Sequence, residues 1–437
     1  MNILKRIRLD PSVYFFPSLI YNNMLEVCIM LKRMFSFLLL LSALVAFPCG
    51  AHAKAKLTSR HTDAYFSTVS ALFLYEDPEE SSRFSQTWTH VKSMLEEIEH
   101  TVSLSFADSD ISRFNALAAG ESMPISEITA DILSVAFDVY AMTDGLYDPT
   151  VYPLVDLWGF SPRFNRNTYA PVMPYDRAYQ DGRLPLPQDS DVQALLPLVG
   201  LGGIRLYEQN GSWHLEKNTP SVSLSGVTIQ AQIDLGGIAK GYACDRIRAY
   251  LRDQGYTQGH FVCGDSSMAI LSRPTEDGLY SLTLGKPRPG LTQDSHYASV
   301  RIRDVGLSTS SDATHAYTLD GTRYCHIIDP RTGYPMNMPQ DGLQRGAASV
   351  TLLCESAAFG DAMSTALCLM PPEAVAAYIS EHLAGSPCTI VYYRSDSDTL
   401  EVMTSASALT LSDGAYLLSS QIDSSGTLRY TGSFFSP

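Results

Sequence analysis

The stretch Asp234-Leu-Gly-Gly-Ile-Ala-Lys-Gly-Tyr242 constrains this chain more than any other feature. A strand-like apolar run leads into it, two adjacent glycines break the β pattern, and a helical pattern leaves it over about 238–254. Adjacent glycines let the backbone approach a ligand closely, and the free amides of a helix start attract an anion. Lys240 falls in the first turn of that helix, where the macrodipole disfavours a cation, so a bound anion would compensate it. The segment has neither G-x-x-x-x-G-K nor G-x-G-x-x-G spacing, which sets aside Walker A and dinucleotide-fingerprint loops. Read alone, it is equally a tight strand–helix joint.

The 437 residues are 18% charged and 45% hydrophobic, a balance that supports large buried cores. Lys32 and Arg33, the apolar run Met34–Phe47 and the small-x-small sequence Ala51-His-Ala53 predict a secretory signal over 30–53, too short to span a bilayer and cleaved before Lys54. Residues 1–29 read as an upstream extension outside the fold. Cys49 follows Ala46-Phe47-Pro48, a poor lipidation context, so membrane association is expected only if that cysteine is lipidated. An exported, periplasmic or cell-envelope protein is the expectation. Loss of 1–53 removes five basic and two acidic side chains, taking the net charge from −15 to −18 and excluding nucleic acid as a partner. Six cysteines remain, at 244, 263, 325, 354, 368 and 388, and they read as small buried hydrophobes rather than bridges.

Phe84, Trp88, Val91, Leu95 and Ile98 recur at helical spacing and predict a helix over 82–101. A second helix is predicted over 129–143, with Ser109-Asp-Ile-Ser-Arg-Phe-Asn115 between them as a loop entering a short helix. Strand character is predicted at 64–75, in consecutive runs over 203–234, and near 260–271, 279–285 and 297–307. The hairpin turn Asp320-Gly321 and a final pair near 388–403 complete the strands. Helices are predicted at about 356–370 and 372–383. Five prolines between 161 and 189 mark an exposed insertion. Runs of antiparallel strands with helix pairs give an α+β class: one catalytic domain, 54–437, of mixed, largely antiparallel strands with flanking helices.

Three further segments carry ionisable chemistry. Asp361 and Thr365 lie one helical turn apart, so a carboxylate and a hydroxyl share a face, and hard oxygens suit Mg²⁺ with substrate phosphates; the plain alternative is a carboxylate favouring the helix dipole. His326 precedes the sharp turn Asp329-Pro-Arg-Thr-Gly333, where an imidazole can act as a base near neutral pH and Arg331 either orients an anion or staples the turn. Gly145-Leu-Tyr-Asp-Pro-Thr150 adds a second turn, and Tyr147 or Trp158 can stack on a planar ring or simply fill the core. There is no G-x-S-x-G elbow for a serine nucleophile.

Taken together, 109–115, 145–160, 234–242, 326–335 and 361–367 resemble, in order along the mature chain, the motifs of the ApbE family, the FAD:protein FMN transferases that modify exported proteins. The resemblance implies an α+β domain that binds FAD with Mg²⁺, cleaves the pyrophosphate, joins FMN through a phosphoester to a threonine of a partner protein, and releases AMP. It places Leu146, Tyr147, Asp148, Asp234, Lys240 and Ile327 along the FAD. The metal would be held by Asp361, Thr365 and the backbone near Gly237, with Lys240 and His326 catalytic and His326 taking the threonine proton. An exported redox protein with a threonine acceptor motif is the implied partner.

Three segments depart from the family pattern. Phe66-Ser67-Thr68 stands for Met-Gly-Thr, Cys263-Gly264-Asp265 for a double glycine before a polar residue, and Ser310-Ser-Asp-Ala-Thr-His315 for a stretch with an aromatic and an arginine. Two other readings remain open: an FAD pyrophosphatase with water as acceptor, and a catalytically weakened FAD-binding protein.

Overall fold

The computed structural model describes residues 56–76, 81–161, 186–285, 296–313, 315–319, 322–336, 346–383 and short segments beyond, up to 430. The chain divides at Cys49/Gly50 into two units, and the first lies wholly outside the described residues, as do the predicted signal, Cys49 and positions 162–185 of the proline-rich insertion.

Nine strands form the main sheet: β1 (Lys56–Tyr65), β2 (Thr68–Glu76), β3 (Gly259–Cys263), β4 (Ser267–Ile270), β5 (Val305–Ser311), β6 (Ser349–Cys354), β7 (Cys388–Tyr393), β8 (Leu400–Thr404) and β9 (Ala415–Leu417). They lie side by side in chain order, antiparallel throughout except for the parallel pair β8–β9. Helices enter as insertions between neighbouring strands. Helix α1 (Ser81–Val102), α2 (Asp110–Asn115), α3 (Glu127–Met142) and α4 (Ala239–Asp253) fall between β2 and β3, while α5 (Ala357–Cys368) and α6 (Pro372–His382) fall between β6 and β7. The α+β expectation holds.

Alternation along β2 and β3 separates two layers. Leu72, Leu74, Phe261 and Cys263 belong to the large apolar cluster that includes Phe84, Trp88, Val91, Leu95 and Ile98 of α1 and Ile247 and Leu251 of α4. The periodic positions of α1 are all buried, as their spacing requires. Phe73 and His260, of opposite parity, stack together at 4.5 Å, and Tyr280 meets the imidazole edge-on at 5.1 Å. Tyr280 opens the strand Tyr280–Gly285, which pairs with His296–Ile302 in a separate small sheet.

Two stretches differ from the sequence expectation. The strand predicted at 64–75 is a hairpin, because Phe66 and Ser67 both take left-handed conformations, with φ of 54° and 51°, and close a two-residue turn between Tyr65 and Thr68. Glu99 of α1 secures it by accepting the Phe66 N–H at 2.7 Å. The strand run predicted to 234 stops at Ile229, leaving 230–234 as extended chain pinned by side chains. Trp158 is core: 1% exposed, it packs near Tyr324 and Tyr334 and donates Nε1–H to the Gly333 carbonyl at 2.7 Å. The five cysteines with described side chains are buried and unbridged, as expected.

His260 gives the fold an acid-sensitive point. Burial, and secondarily the charge of Arg273, push its imidazole down to about 3, and neither ring nitrogen has a protein hydrogen-bond partner. Unfolded, the group protonates near 6.5, so the stability gained by keeping it neutral is whole above that pH and is lost as pH falls towards 3. Urea unfolding across this window should show stability dropping by about 1.4 kcal/mol per pH unit from this residue, and His260→Phe should flatten that part of the slope. An unchanged slope in the variant contradicts the assignment.

Candidate active site

Two helix starts meet at the centre of the sheet. Helices α4 and α5 cross so closely that a Cβ on Gly241 would lie 2.2 Å from the Ala357 carbonyl oxygen, so only glycine fits there. Each helix gives the other a carboxylate for its unsatisfied amides. Asp361 Oδ2 on α5 accepts the Gly241 N–H of α4 at 2.7 Å. Asp245 on α4 accepts the Ala357 and Ala358 N–H groups at 2.8 and 3.0 Å and the Ser356 hydroxyl at 2.7 Å. A strand joins the two helices, because Ser267 Oγ of β4 donates to Asp361 Oδ1 at 2.8 Å.

The glycine turn before α4 is held from both sides. Asn115, at the end of α2, accepts the Ile233 N–H at 2.8 Å and donates to the Ile233 carbonyl at 2.9 Å, standing in for a neighbouring strand. This fixes the residue ahead of Asp234, whose Oδ1 accepts the Gly236 N–H at 2.8 Å. Lys240 Nζ donates to the Gly236 carbonyl at 3.1 Å, so the ammonium folds back over the turn. Asp110 of the same 109–115 segment accepts the Thr129 hydroxyl at 2.7 Å and the Ser126 N–H at 2.8 Å, tying α2 to the start of α3. The motif 109–115 therefore positions the site from outside it.

Tyr147 lies under the turn, its ring 3.8 Å from where a Gly237 Cβ would stand and its hydroxyl oxygen 4.0 Å from that point. It is 4% exposed, and its hydroxyl has no hydrogen-bond partner. Burial first, then the charges of Asp361, Asp234 and Asp148, push that hydroxyl well above the ordinary tyrosine value. Asp148 is pushed up to about 6 by burial, against hydrogen bonds from the Thr150 N–H and hydroxyl at 2.8 and 2.5 Å, and it caps the short turn at 149–151. Leu146 and Ile327 sit in the main apolar cluster, and the Ile327 carbonyl accepts the Met336 N–H at 2.9 Å.

Among the described residues there is no group of three or more His, Cys, Asp or Glu that could cage a metal, so a cation here must take oxygens from few side chains. Asp361 and Thr365 offer such a set. Burial raises the Asp361 carboxyl, while Lys240 foremost, then hydrogen bonds from Ser267 and Gly241, pull it down. An ionised carboxylate has about four lone-pair sites, and the two donors placed above occupy two of them. Thr365 Oγ1 donates to the Asp361 carbonyl at 3.1 Å and lies 2.9 Å from Ser310 Oγ, which is also 2.8 Å from Ser364 Oγ. One carboxylate with hydroxyl and backbone oxygens, in a pocket of negative field, fits Mg²⁺ sharing its shell with water and phosphate.

His326 follows the strand Thr322–Cys325, whose partner is Ala316–Leu319. Its backbone N–H and its Nδ1 both meet the His315 carbonyl, at 3.0 and 3.2 Å, which assigns the proton to Nδ1 and leaves Nε2 as the basic nitrogen. Burial, then the charges of His315 and Lys240, hold the imidazole down to about 4 against that hydrogen bond, so it is neutral at pH 7. Arg331 proves to be a staple: Nε and Nη2 grip Asp329 of its own turn at 2.9 and 2.6 Å. Lys240 is the common point. Its charge acts on Asp361, Asp234, His315 and His326 alike. The structure thus brings Tyr147, Asp234, Gly237, Lys240, Asp361 and His326 to one locality, whereas Ser267 and Asp245 were absent from the sequence reading and Asn115 entered it only as the last residue of the 109–115 motif, with no role. The role of each was hidden from the sequence, since each acts through a partner more than 90 residues away.

A helix-backed antiparallel sheet with a lysine, a buried carboxylate and an imidazole gathered at a glycine turn defines an α+β protein with ionisable groups clustered at a helix start. A model of the ApbE family matches residues 66–390, and the chain belongs to that family. It is 27% identical over 294 residues to the FAD:protein FMN transferase of Escherichia coli K12, covering 67% of this chain and 74% of that protein. It is 29% identical over 286 residues to the enzyme of the same name from Vibrio cholerae, covering 65% and 73%. Among solved structures, the flavin transferase ApbE from Vibrio cholerae superposes with a TM-score of 0.61 at 25% identity, covering 82% of this chain and 98% of that one. Apo flavinyl transferase ApbE of Pseudomonas stutzeri shares the fold, with a TM-score of 0.62 at 21% identity over 84% and 97%.

The unpartnered Tyr147 hydroxyl makes a sharp expectation. A buried polar group without a partner costs about 1–3 kcal/mol, so Tyr147→Phe should leave the free protein as stable or raise its Tm, while weakening binding of FAD. Loss of stability together with unchanged FAD affinity would show that the hydroxyl serves the fold alone.

Proposed function

We propose that this protein is an exported, Mg²⁺-dependent FAD:protein FMN transferase, which cleaves FAD, attaches FMN through a phosphoester to a threonine of an exported redox protein, and releases AMP. The observation that carries this reading is the reach of the Lys240 charge to both the Asp361 carboxylate and the His326 imidazole at one glycine turn. Family membership and the names of the relatives support the reaction class. The apolar run Met34–Phe47 before Ala51-His-Ala53 supports export.

The chain's own groups divide the work. The Lys240 ammonium, folded back over the glycine turn, binds the diphosphate and meets charge that builds on the transferring phosphoryl group. Asp361 and Thr365 side chains, with backbone oxygen near Gly237, would hold Mg²⁺, which supplies further charge neutralisation when bound. Tyr147 presents a hydroxyl donor beneath the turn. His326 Nε2 takes the proton of the acceptor threonine, a weak nucleophile at neutral pH, while the His315 carbonyl holds Nδ1–H and so keeps the ring oriented. Burial of Asp361 and Tyr147 keeps water away from the charged groups and strengthens their interactions.

Incubation with FAD and Mg²⁺, with and without a threonine-bearing acceptor, followed by measurement of flavin retained on the denatured acceptor, tests this directly. Retained flavin with AMP released is expected; free FMN with an unlabelled acceptor would instead establish hydrolysis. Asp361→Asn keeps an acceptor for the Gly241 N–H but loses the anionic ligand, so metal-dependent turnover should vanish while FAD still binds. His326→Gln should lower transfer by about 10²–10⁴-fold. Unchanged turnover in the Asp361 variant would defeat the metal assignment.

A further inference from the structure

His315 is a histidine that the reaction described above leaves unused. The hairpin pairs Ala316 with Cys325, so the next position outward sets His315 directly opposite His326. The two rings lie 5.1 Å apart, tilted by 57°. His315 is the more exposed of the two, and His326 has Nδ1 committed to the His315 carbonyl. The titratable groups acting on this pair are the rings themselves and Lys240 from α4.

We propose that His315 is a phosphate-binding residue of the active site, which takes up a proton as the FAD diphosphate binds and donates it in a hydrogen bond to a phosphate oxygen. The inference rests on the reading of this site as an FAD diphosphate site. A diphosphate diester carries two negative charges, and Lys240 supplies one positive charge in a locality that already holds the carboxylates of Asp361 and Asp234. A proton on His315 would add a second positive charge beside Lys240 against that excess. In the free protein, burial and then Lys240 hold the His315 imidazole below its ordinary value, so it stands neutral. An arriving dianion reverses the balance of charge around it. His315 is the ring that protonates, because it is the more exposed of the two and His326 already commits Nδ1 to the His315 carbonyl. One proton leaves the solvent and one N–H···O bond forms, with no covalent change. His326 then remains neutral, as a base for the acceptor hydroxyl requires.

The test is FAD binding followed by flavin fluorescence in EDTA from pH 5.5 to 8, with calorimetry in buffers of different ionisation enthalpy to count protons. Wild type should bind FAD more tightly as pH falls, by up to about tenfold per unit, with close to one proton taken up per FAD at the midpoint of that range. His315→Gln should bind FAD with a shallower pH profile and take up about one proton fewer than wild type, while His326→Gln should keep the wild-type profile and uptake. The half-buried His214→Gln, on the strand Ser212–Lys217, should behave as wild type. A pH dependence that survives in His315→Gln and disappears in His326→Gln would overturn the proposal, as would pH-independent binding in wild type. Absence of FAD binding at every pH would instead overturn the reading of the site itself.

Discussion

The exchange of carboxylates between two crossing helices is the contact on which the rest of this structure depends. Asp361 satisfies an amide at the start of α4, and Asp245 satisfies the start of α5. Either carboxylate alone would be an ordinary capping residue, worth about 1 kcal/mol. Together they fix how two helix starts approach each other, and Gly241 sets the spacing by having no side chain. Lys240 is the residue just before Gly241, so the contact that joins the helices also fixes the start of the side chain whose ammonium folds back onto the Gly236 carbonyl. Stability and chemistry share the same atoms here, which makes Asp361 a structural residue as much as a functional one.

Around that pair, other parts of the chain hold the glycine turn without entering it. Asn115 supplies both halves of a backbone hydrogen-bond pair to Ile233, and Asp110 locks the helix that carries Asn115 to the next one. Lys217, fully buried, donates to the Asn115 and Leu117 carbonyls at 3.2 and 2.8 Å and keeps the end of that short helix in place. Burial pushes this lysine down to about 8, against the charge of Glu121. The consequence is a rigid frame around a turn whose own residues, Gly236 and Gly237, remain exposed to an incoming ligand. A site of this kind gains from preorganisation, because the donors are already in place when charge develops.

Much of this was legible in the residues because it rests on local rules. The periodic apolar positions of α1 follow from spacing over a few residues, whereas the Ser126 cap starts the next helix at Glu127, two residues before the predicted 129. The ordered motifs led to Lys240, Asp361, Thr365 and His326, which the fold gathers. The Phe66–Ser67 turn was not legible, since neither residue favours positive φ and Glu99, more than 30 residues on, holds it. Ser267 and Asp245 escaped notice for the same reason: their partners are set by strand order and helix crossing, not by neighbours in sequence. Trp158 read as core more readily than as a stacking platform, and its enclosure against the 329–334 turn bears this out.

Diffraction from crystals grown with Mn²⁺ in place of Mg²⁺ and soaked with FAD, recorded at the manganese edge, would test the central claim most directly. The account requires an anomalous peak on the Asp361 carboxylate and the Thr365 hydroxyl, with the FAD diphosphate lying between that peak and the Lys240 ammonium. Manganese bound elsewhere, or a diphosphate remote from the start of α4, would contradict it.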